Sequence, residues 1–395
     1  MGHMNIEPSV SSKSHTIYTI AIIGFIYAMH LVLPMYSNSS YLSLFANPTL
    51  LGYIYMAGAA TSILGFLLAP ICIRRWGNYK IVMGLIIAQI LIFYGLISTT
   101  SALYIAMLFI LQSAVISIIG LSLDIFLEAY TDSAHVGKIR GMYSATLNAS
   151  WIIAPLIGSM LIGNANNYRN TYIAALAMLF PLLYLVYRNF SRFRDPNYMH
   201  LSPVQLYKHI SHNKNWVKLF TANAILQVFY AWMTVYCPIY LNKTIGLSWE
   251  GIGIILTIML LPFPLIQYPL GKLADRKYGE KEMMAMGFGL MGIATIILTF
   301  VHVPNIALWA LVLFITRIGA ATAEVMMETY FFKTVSTRDS AALGIFRITR
   351  PVSYFIAPII SMVGLSFVTS EYLFVIIGVI VLFALYPVLT IKDTN

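Results

Sequence analysis

Twelve runs of eighteen or more mostly apolar residues dominate the 395-residue chain, and no other feature restricts its fold as much. They lie at roughly 16–36, 48–73, 80–98, 102–130, 141–163 and 170–187, then at 216–241, 249–270, 282–303, 304–332, 341–366 and 371–391. A helix rises about 1.5 Å per residue and a bilayer core is about 30 Å thick, so each run is long enough to cross once. Lipid offers no hydrogen bonds to an exposed backbone, so a continuous apolar run of this length must pair its own N–H and C=O groups as a helix. Composition agrees: 59% of residues are hydrophobic and 10% are charged, far below the roughly 25% charged residues of a soluble domain. The expected fold class is an all-α membrane protein with twelve transmembrane helices.

The formal charge of +10 invites a nucleic-acid reading. The distribution of the cations argues against it. With the N-terminus placed inside, 19 of the 24 Lys and Arg fall in loops and tails on the cytoplasmic side. Arg169 and Lys243 fall on the other side, and Arg317, Arg347 and Arg350 fall within helices. Such asymmetry is the positive-inside signature of a cell-membrane (inner-membrane) protein, here with both termini cytoplasmic. The bilayer is therefore the expected partner of the basic loops, and nucleic acid is not.

The one long polar stretch, 188–215, divides the runs into six and six. Leu33-Pro34-Met35-Tyr36 recurs as Cys237-Pro238-Ile239-Tyr240, Met83-Gly84 as Met286-Gly287, and Ala154-Pro155 as Ala357-Pro358, at offsets of 203 or 204. These echoes mark a duplicated unit. The expected organisation is a polar tail at 1–15, a first six-helix bundle at 16–187, a cytoplasmic linker at 188–215, a second bundle at 216–391 and a short tail at 392–395. Met1-Gly2-His3-Met4 reads as an expression remnant ahead of a native Met4. Two parallel halves related by a pseudo-two-fold axis along the membrane normal, holding a small molecule between them, form a transporter architecture.

A second echo, at an offset of 200, carries charge. Asp124, Glu128 and Tyr130 are matched by Glu324, Glu328 and Tyr330, each pair of acids one helical turn apart at the end of an apolar run. Ionisable groups within a span are costly unless paired, watered or protonated, and so are functional candidates. Arg317, Arg347 and Arg350 are the available partners or a seat for a substrate anion. Four acids face three arginines, and the partnerless acid expected from this count is Asp124, in the half that has no helix arginine. These acids are the proton-coupling candidates. The bland alternatives are wet helix ends for Asp124 and Glu128 and a permanent ion pair for Glu324. His30 reads either as a relay or as a hydrogen-bonded packing residue.

The loop Gly271-Lys272-Leu273-Ala274-Asp275-Arg276-Lys277-Tyr278-Gly279 is similar to the signature G-x-L-a-D-r-x-G of the major facilitator superfamily, with one residue inserted before the second glycine. Arg74-Arg75-Trp76-Gly77 is a degenerate first-half copy, with Arg74 where the aspartate belongs. Asp132 and Arg140-Gly141 resemble an acid and Arg-Gly pairing of that family, and Ala154-Pro155-Leu156-Ile157-Gly158 resembles the Gly-Pro-x-x-Gly stretch of its antiporter branches. The resemblance implies two six-helix bundles, a monomer, and alternating access. It also implies a cytoplasmic gate at Gly271, Asp275, Arg276, Gly279, Arg75, Gly77, Asp132 and Arg140. By the same resemblance helices 1, 4 and 7 line the cavity, which nominates Tyr27, His30 and Gln112 as substrate contacts, together with Gln227, Tyr230, Trp232 and Tyr236.

Other chemistries leave no trace. The sequence has no phosphate-binding Walker loop, no G-x-S-x-G elbow and no H-E-x-x-H helix. Cys72 and Cys237 lie in separate apolar runs, and no His or Cys sits at a ligand spacing from His30, so neither a metal nor a cofactor is expected. The expected function is secondary transport of a small molecule, coupled to protons and leaning toward export of amphipathic compounds or metabolites. The alternatives are uptake of an anionic metabolite and, remotely, a membrane-embedded enzyme on lipid-linked substrates.

Overall fold

The computed structural model describes residues 10–130, 136–193, 195, 213–266, 269, 279–334 and 340–392, with the side chains at 10–17, 136–141, 332, 334 and 340–348 outside that description. The first six helices are α1 (Val10–Met35), α2 (Pro48–Trp76), α3 (Asn78–Ser98), α4 (Ala102–Tyr130), α5 (Val136–Ile162) and α6 (Arg169–Phe190). The second six are α7 (Lys214–Val235), α8 (Trp249–Leu260), α9 (Glu280–Ile297), α10 (Ile306–Thr334), α11 (Ser340–Leu365) and α12 (Leu373–Phe383). Among the described residues eleven spans are long and apolar enough to cross a membrane, and the described part of α11 is a shorter apolar helix. The close junction expected between the ninth and tenth runs is a real break. A 3-10 turn at Leu298–Phe300 ends one helix, and Asn305 caps the next by accepting from the Leu308 N–H at 3.1 Å.

Each half repeats one packing scheme. In the first, α1 packs on α5 and α6, and α4 on α2 and α3; in the second, α7 packs on α11 and α12, and α10 on α8 and α9. The halves meet through α2 against α11 and α5 against α8, contacts that the internal two-fold exchanges. The outer surface is apolar, with Leu91, Phe180, Leu311 and Phe383 exposed as lipid-facing residues must be. Small residues permit the closest helix approaches, because lipid supplies no hydrophobic drive and van der Waals packing must hold the bundle. A Cβ on Gly287 of α9 would lie 2.8 Å from the backbone of α10 at Gly319.

The two halves close on each other at one end of the bundle. Trp249 donates its indole N–H to the Tyr168 hydroxyl at 3.1 Å, and Lys243 donates to Ser43 at 2.8 Å. A Cβ on Gly253 of α8 would fall 1.8 Å from Ser159 Oγ of α5, and one on Gly52 of α2 would fall 2.5 Å from Met362 Sδ of α11. From that seal a cavity runs along the interface toward the end that carries Asp124 and Glu328.

Candidate functional site: a charged cavity between the halves

The cavity has a volume of about 750 Å³ and draws its walls from both bundles. Its first-half wall is aromatic and polar: Tyr27 and Tyr36 of the first helix region, Gln112 and Asp124 of α4, and Tyr143 and Trp151 of α5. The second-half wall holds Gln227 and Tyr230 of α7, Arg317, Glu324 and Glu328 of α10, and Arg350 of α11. Residues 317, 324 and 328 share one face because separations of seven and eleven are close to two and three whole turns.

Arg317 sits eleven residues after the start of α10, or about 17 Å along its axis. It is 2% exposed, and its guanidinium lies over the rings of Phe229 and Tyr230, each with the carbon 5.2 Å from the ring centroid. Such a stack contributes about 0.5–2 kcal/mol. Among the described residues no carboxylate lies within 4.0 Å of Arg317 and no hydrogen bond reaches it, and its Nε is buried without an acceptor.

Two turns nearer the mouth, the Tyr230 hydroxyl donates to Glu324 Oε2 at 3.1 Å. Tyr230 therefore spans the site, with its ring on the cation and its hydroxyl on the acid. Glu324 is half-buried, Glu328 is exposed in the cavity mouth, and neither forms an ion pair among the described residues. Arg350 reaches across the interface, its guanidinium 5.4 Å above the Trp151 ring. The side chain of Arg347 is outside the described residues.

Asp124 lies half-buried on the wall, as its spacing predicts, but it is engaged by a neighbour. Glu128 is exposed at the same end of α4 and does not line the cavity. Tyr27, Gln112, Gln227 and Tyr230 are on the wall.

Three other aromatic or imidazole candidates face elsewhere. His30 is fully buried inside the first bundle, its Nδ1 2.6 Å from the Tyr27 carbonyl oxygen and its ring near Phe93, so it packs α1 against α3. Trp232 donates to Ser361 Oγ at 2.8 Å and meets Phe374 edge-on, which ties α7 to α11 and α12. Tyr236 stacks on Trp232 and is likewise off the wall. The sequence reading missed Trp151, Tyr143 and Tyr354, because it drew candidates only from helices 1, 4 and 7.

Of the gate residues, Gly271, Asp275, Arg276 and Asp132 lie outside the described residues, as does the side chain of Arg140. Gly279 precedes α9 and supplies no side-chain cap. Arg75 is exposed and stacks on its neighbour Trp76 at 5.5 Å. Gly77 adopts φ +85°, a conformation that suits glycine. Beside it, Asp195 accepts from the Asn78 N–H at 2.9 Å. A carboxylate from the segment that follows α6 thus caps the start of α3.

The Major Facilitator Superfamily profile matches residues 18–249 and 235–394, which together span nearly the whole chain. Among curated proteins no sequence matches. Among solved structures, a bacterial homologue of the human lysosomal transporter Spinster, in an inward-facing and unoccupied conformation, is similar with a TM-score of 0.70 and 12% identity over 97% of this chain and 95% of that one. The nucleoside transporter NupG, in mutant form, is similar with a TM-score of 0.76 and 12% identity over 95% of this chain and 99% of that one. At that identity the likeness concerns the fold alone. The duplicated six-helix halves, the cavity between them and the sequence profile lead to one conclusion: this chain belongs to the Major Facilitator Superfamily, the transporters that carry small molecules across membranes by alternating access.

Proposed function

We propose that the protein is a proton-coupled secondary transporter of a small amphipathic molecule, monomeric in the cell membrane, with both termini cytoplasmic. The observation that carries this reading is Glu324. It is a carboxylate within a membrane span, it faces the cavity, and its hydrogen-bond partner is the neutral phenol of Tyr230. A carboxylate in such a place is costly as an isolated anion and inexpensive as a neutral acid. Changing the side to which the cavity opens changes its access to water, and with it the balance between the two forms.

With the basic loops inside, the sealed end is extracellular and the cavity opens to the cytoplasm. The Ala-Pro-x-x-Gly stretch of α5 favours export as the direction. A second reading, uptake of an anionic metabolite, is favoured by Arg317, which is buried and has no ion-pair partner among the described residues.

The test is accumulation in proteoliposomes of the compound that most stabilises the purified protein in a thermal-shift screen. Coupling predicts accumulation only under an imposed pH gradient, abolished by a protonophore. Equal movement with and without the gradient removes the proton from the mechanism.

A further inference from the structure

We propose that Arg317 is the seat of an anionic group on the cargo, a carboxylate or a phosphate attached to a flat apolar body; this rests on the reading of the central cavity as the cargo's place. The surroundings of its guanidinium point to an anionic ligand. It is 2% exposed, faces the cavity, stacks on Phe229 and Tyr230, and has no carboxylate or hydrogen-bond acceptor among the described residues. A buried cation without a counter-ion is unfavourable, and aromatic faces offset only part of the lost hydration. The field of Glu324, two turns away, and water in the cavity supply part of what is missing, and an anionic group on an entering molecule would supply the paired contact that no described residue makes.

The geometry is preorganised for that arrival. Arginine presents a planar fork of donors that matches the two oxygens of a carboxylate or phosphate. Tyr230 is held over the guanidinium at one end of its side chain by the bond from its hydroxyl to Glu324 at the other. The nearest wall acid on α10, Glu324, is seven residues away, about 10 Å along the axis, so it does not occupy the seat itself. Beyond the cation the wall is aromatic, with Tyr36 and Tyr354 also lining it, and this suits a flat apolar body.

The experiment is a thermal-shift titration of the detergent-solubilised full-length protein with matched probes: benzoate, naphthalene-2-carboxylate and phenyl phosphate, each against its neutral amide or alcohol. The seat predicts that at least one anionic member stabilises the wild-type protein while its neutral partner does not. Arg317→Gln should weaken that anion about tenfold or more, the worth of a lost charge-assisted bond. Should Arg317→Gln fail to fold, Arg317→Lys, which keeps the charge but loses the fork, should weaken the anion about threefold or more. The proposal is overturned if neutral partners stabilise equally, if no anionic member stabilises, or if the folded variant binds anions as well as the wild type. A shift with dioleoylphosphatidylglycerol larger than with every soluble anion assigns the site to a lipid headgroup and overturns the cargo assignment. Glu324→Gln separates the two claims: loss of gradient coupling with anion selectivity intact supports both, and intact coupling with anion selectivity lost only on Arg317 substitution sinks the proton reading alone.

Discussion

At equivalent places on the two walls of the cavity, the first half carries Ser117 and Leu147 where the second carries Arg317 and Arg350, and all four line the same space. Tyrosines of the leading helices differ in the same way. Tyr27 of α1 donates to the Ile116 carbonyl at 2.7 Å, whereas Tyr230 of α7 donates to the Glu324 carboxylate at 3.1 Å. Packing differs as well: a Cβ on Gly287 would strike α10, but its sequence echo Gly84 has nothing within 4 Å. A duplicated scaffold has kept its helix order and an acid on each wall, Asp124 and Glu324, but placed its cavity arginines on one side. The first half acts as an aromatic and amide wall with one acid, Asp124, and the second holds the cations and the acid that we propose exchanges a proton.

The largest effect should come from exchanging neutral for acidic chemistry on the two walls. Glu324→Gln should lower pH-gradient-driven accumulation in proteoliposomes at least about tenfold, and Asp124→Asn, on the wall without an arginine, by less than about threefold. Equal losses would mean that the halves share the proton, and the asymmetry drawn above would be wrong.

The next effect concerns where the halves agree, at the seal. Gly253→Leu puts a side chain where Ser159 Oγ already stands, 1.8 Å from the added Cβ, and should force α5 and α8 apart. A shift of about 1.4 kcal/mol toward the open seal changes populations about tenfold. In a Ser40→Cys background, labelling by a membrane-impermeant maleimide should rise by about that factor, because residue 40 is buried at the sealed end. The corresponding contact of α2 with α11, probed by Gly52→Leu, meets the flexible Met362 thioether and should give a smaller rise.

A smaller effect distinguishes the inner ends. Asp195→Ala removes the carboxylate acceptor at the start of α3 and should cost about 1 kcal/mol, the typical worth of a helix cap. Thermal unfolding would then fall by about 1 °C. In the second half Gly279 offers α9 no side-chain cap, and its neighbour Glu280 is instead buried against Lys333. Smallest of all, Trp249→Phe keeps the edge contact with Tyr168 but loses one hydrogen bond, worth about 1 kcal/mol. It should raise the Ser40→Cys labelling rate only a few-fold.

Much of this was legible in the residues because lipid punishes unpaired backbone and stranded charge. The twelve apolar runs, the duplication and the placement of Asp124, Glu324 and Arg317 on a common cavity all follow from length, offset and helical periodicity. Which aromatic residue faces the cavity was not legible. A transmembrane helix that is apolar on every side carries no stripe to separate lipid from lumen, so His30 and Trp232 looked like Gln112 and Tyr230 until packing assigned their faces. The cap from Asp195 was hidden for a different reason. It lies 117 residues from Asn78, and no local pattern announces a partner at that separation.

The most direct test of a proton exchanged at Glu324 follows the proton itself. Proteoliposomes loaded with a pH-sensitive dye and the best-stabilising compound would be challenged with a gradient of that compound, while its movement is recorded in parallel. The account predicts a change in internal pH that tracks the compound in the wild type and disappears in Glu324→Gln, with one-for-one exchange of the compound across the membrane continuing in the variant. A dye signal of unchanged size in Glu324→Gln would contradict it.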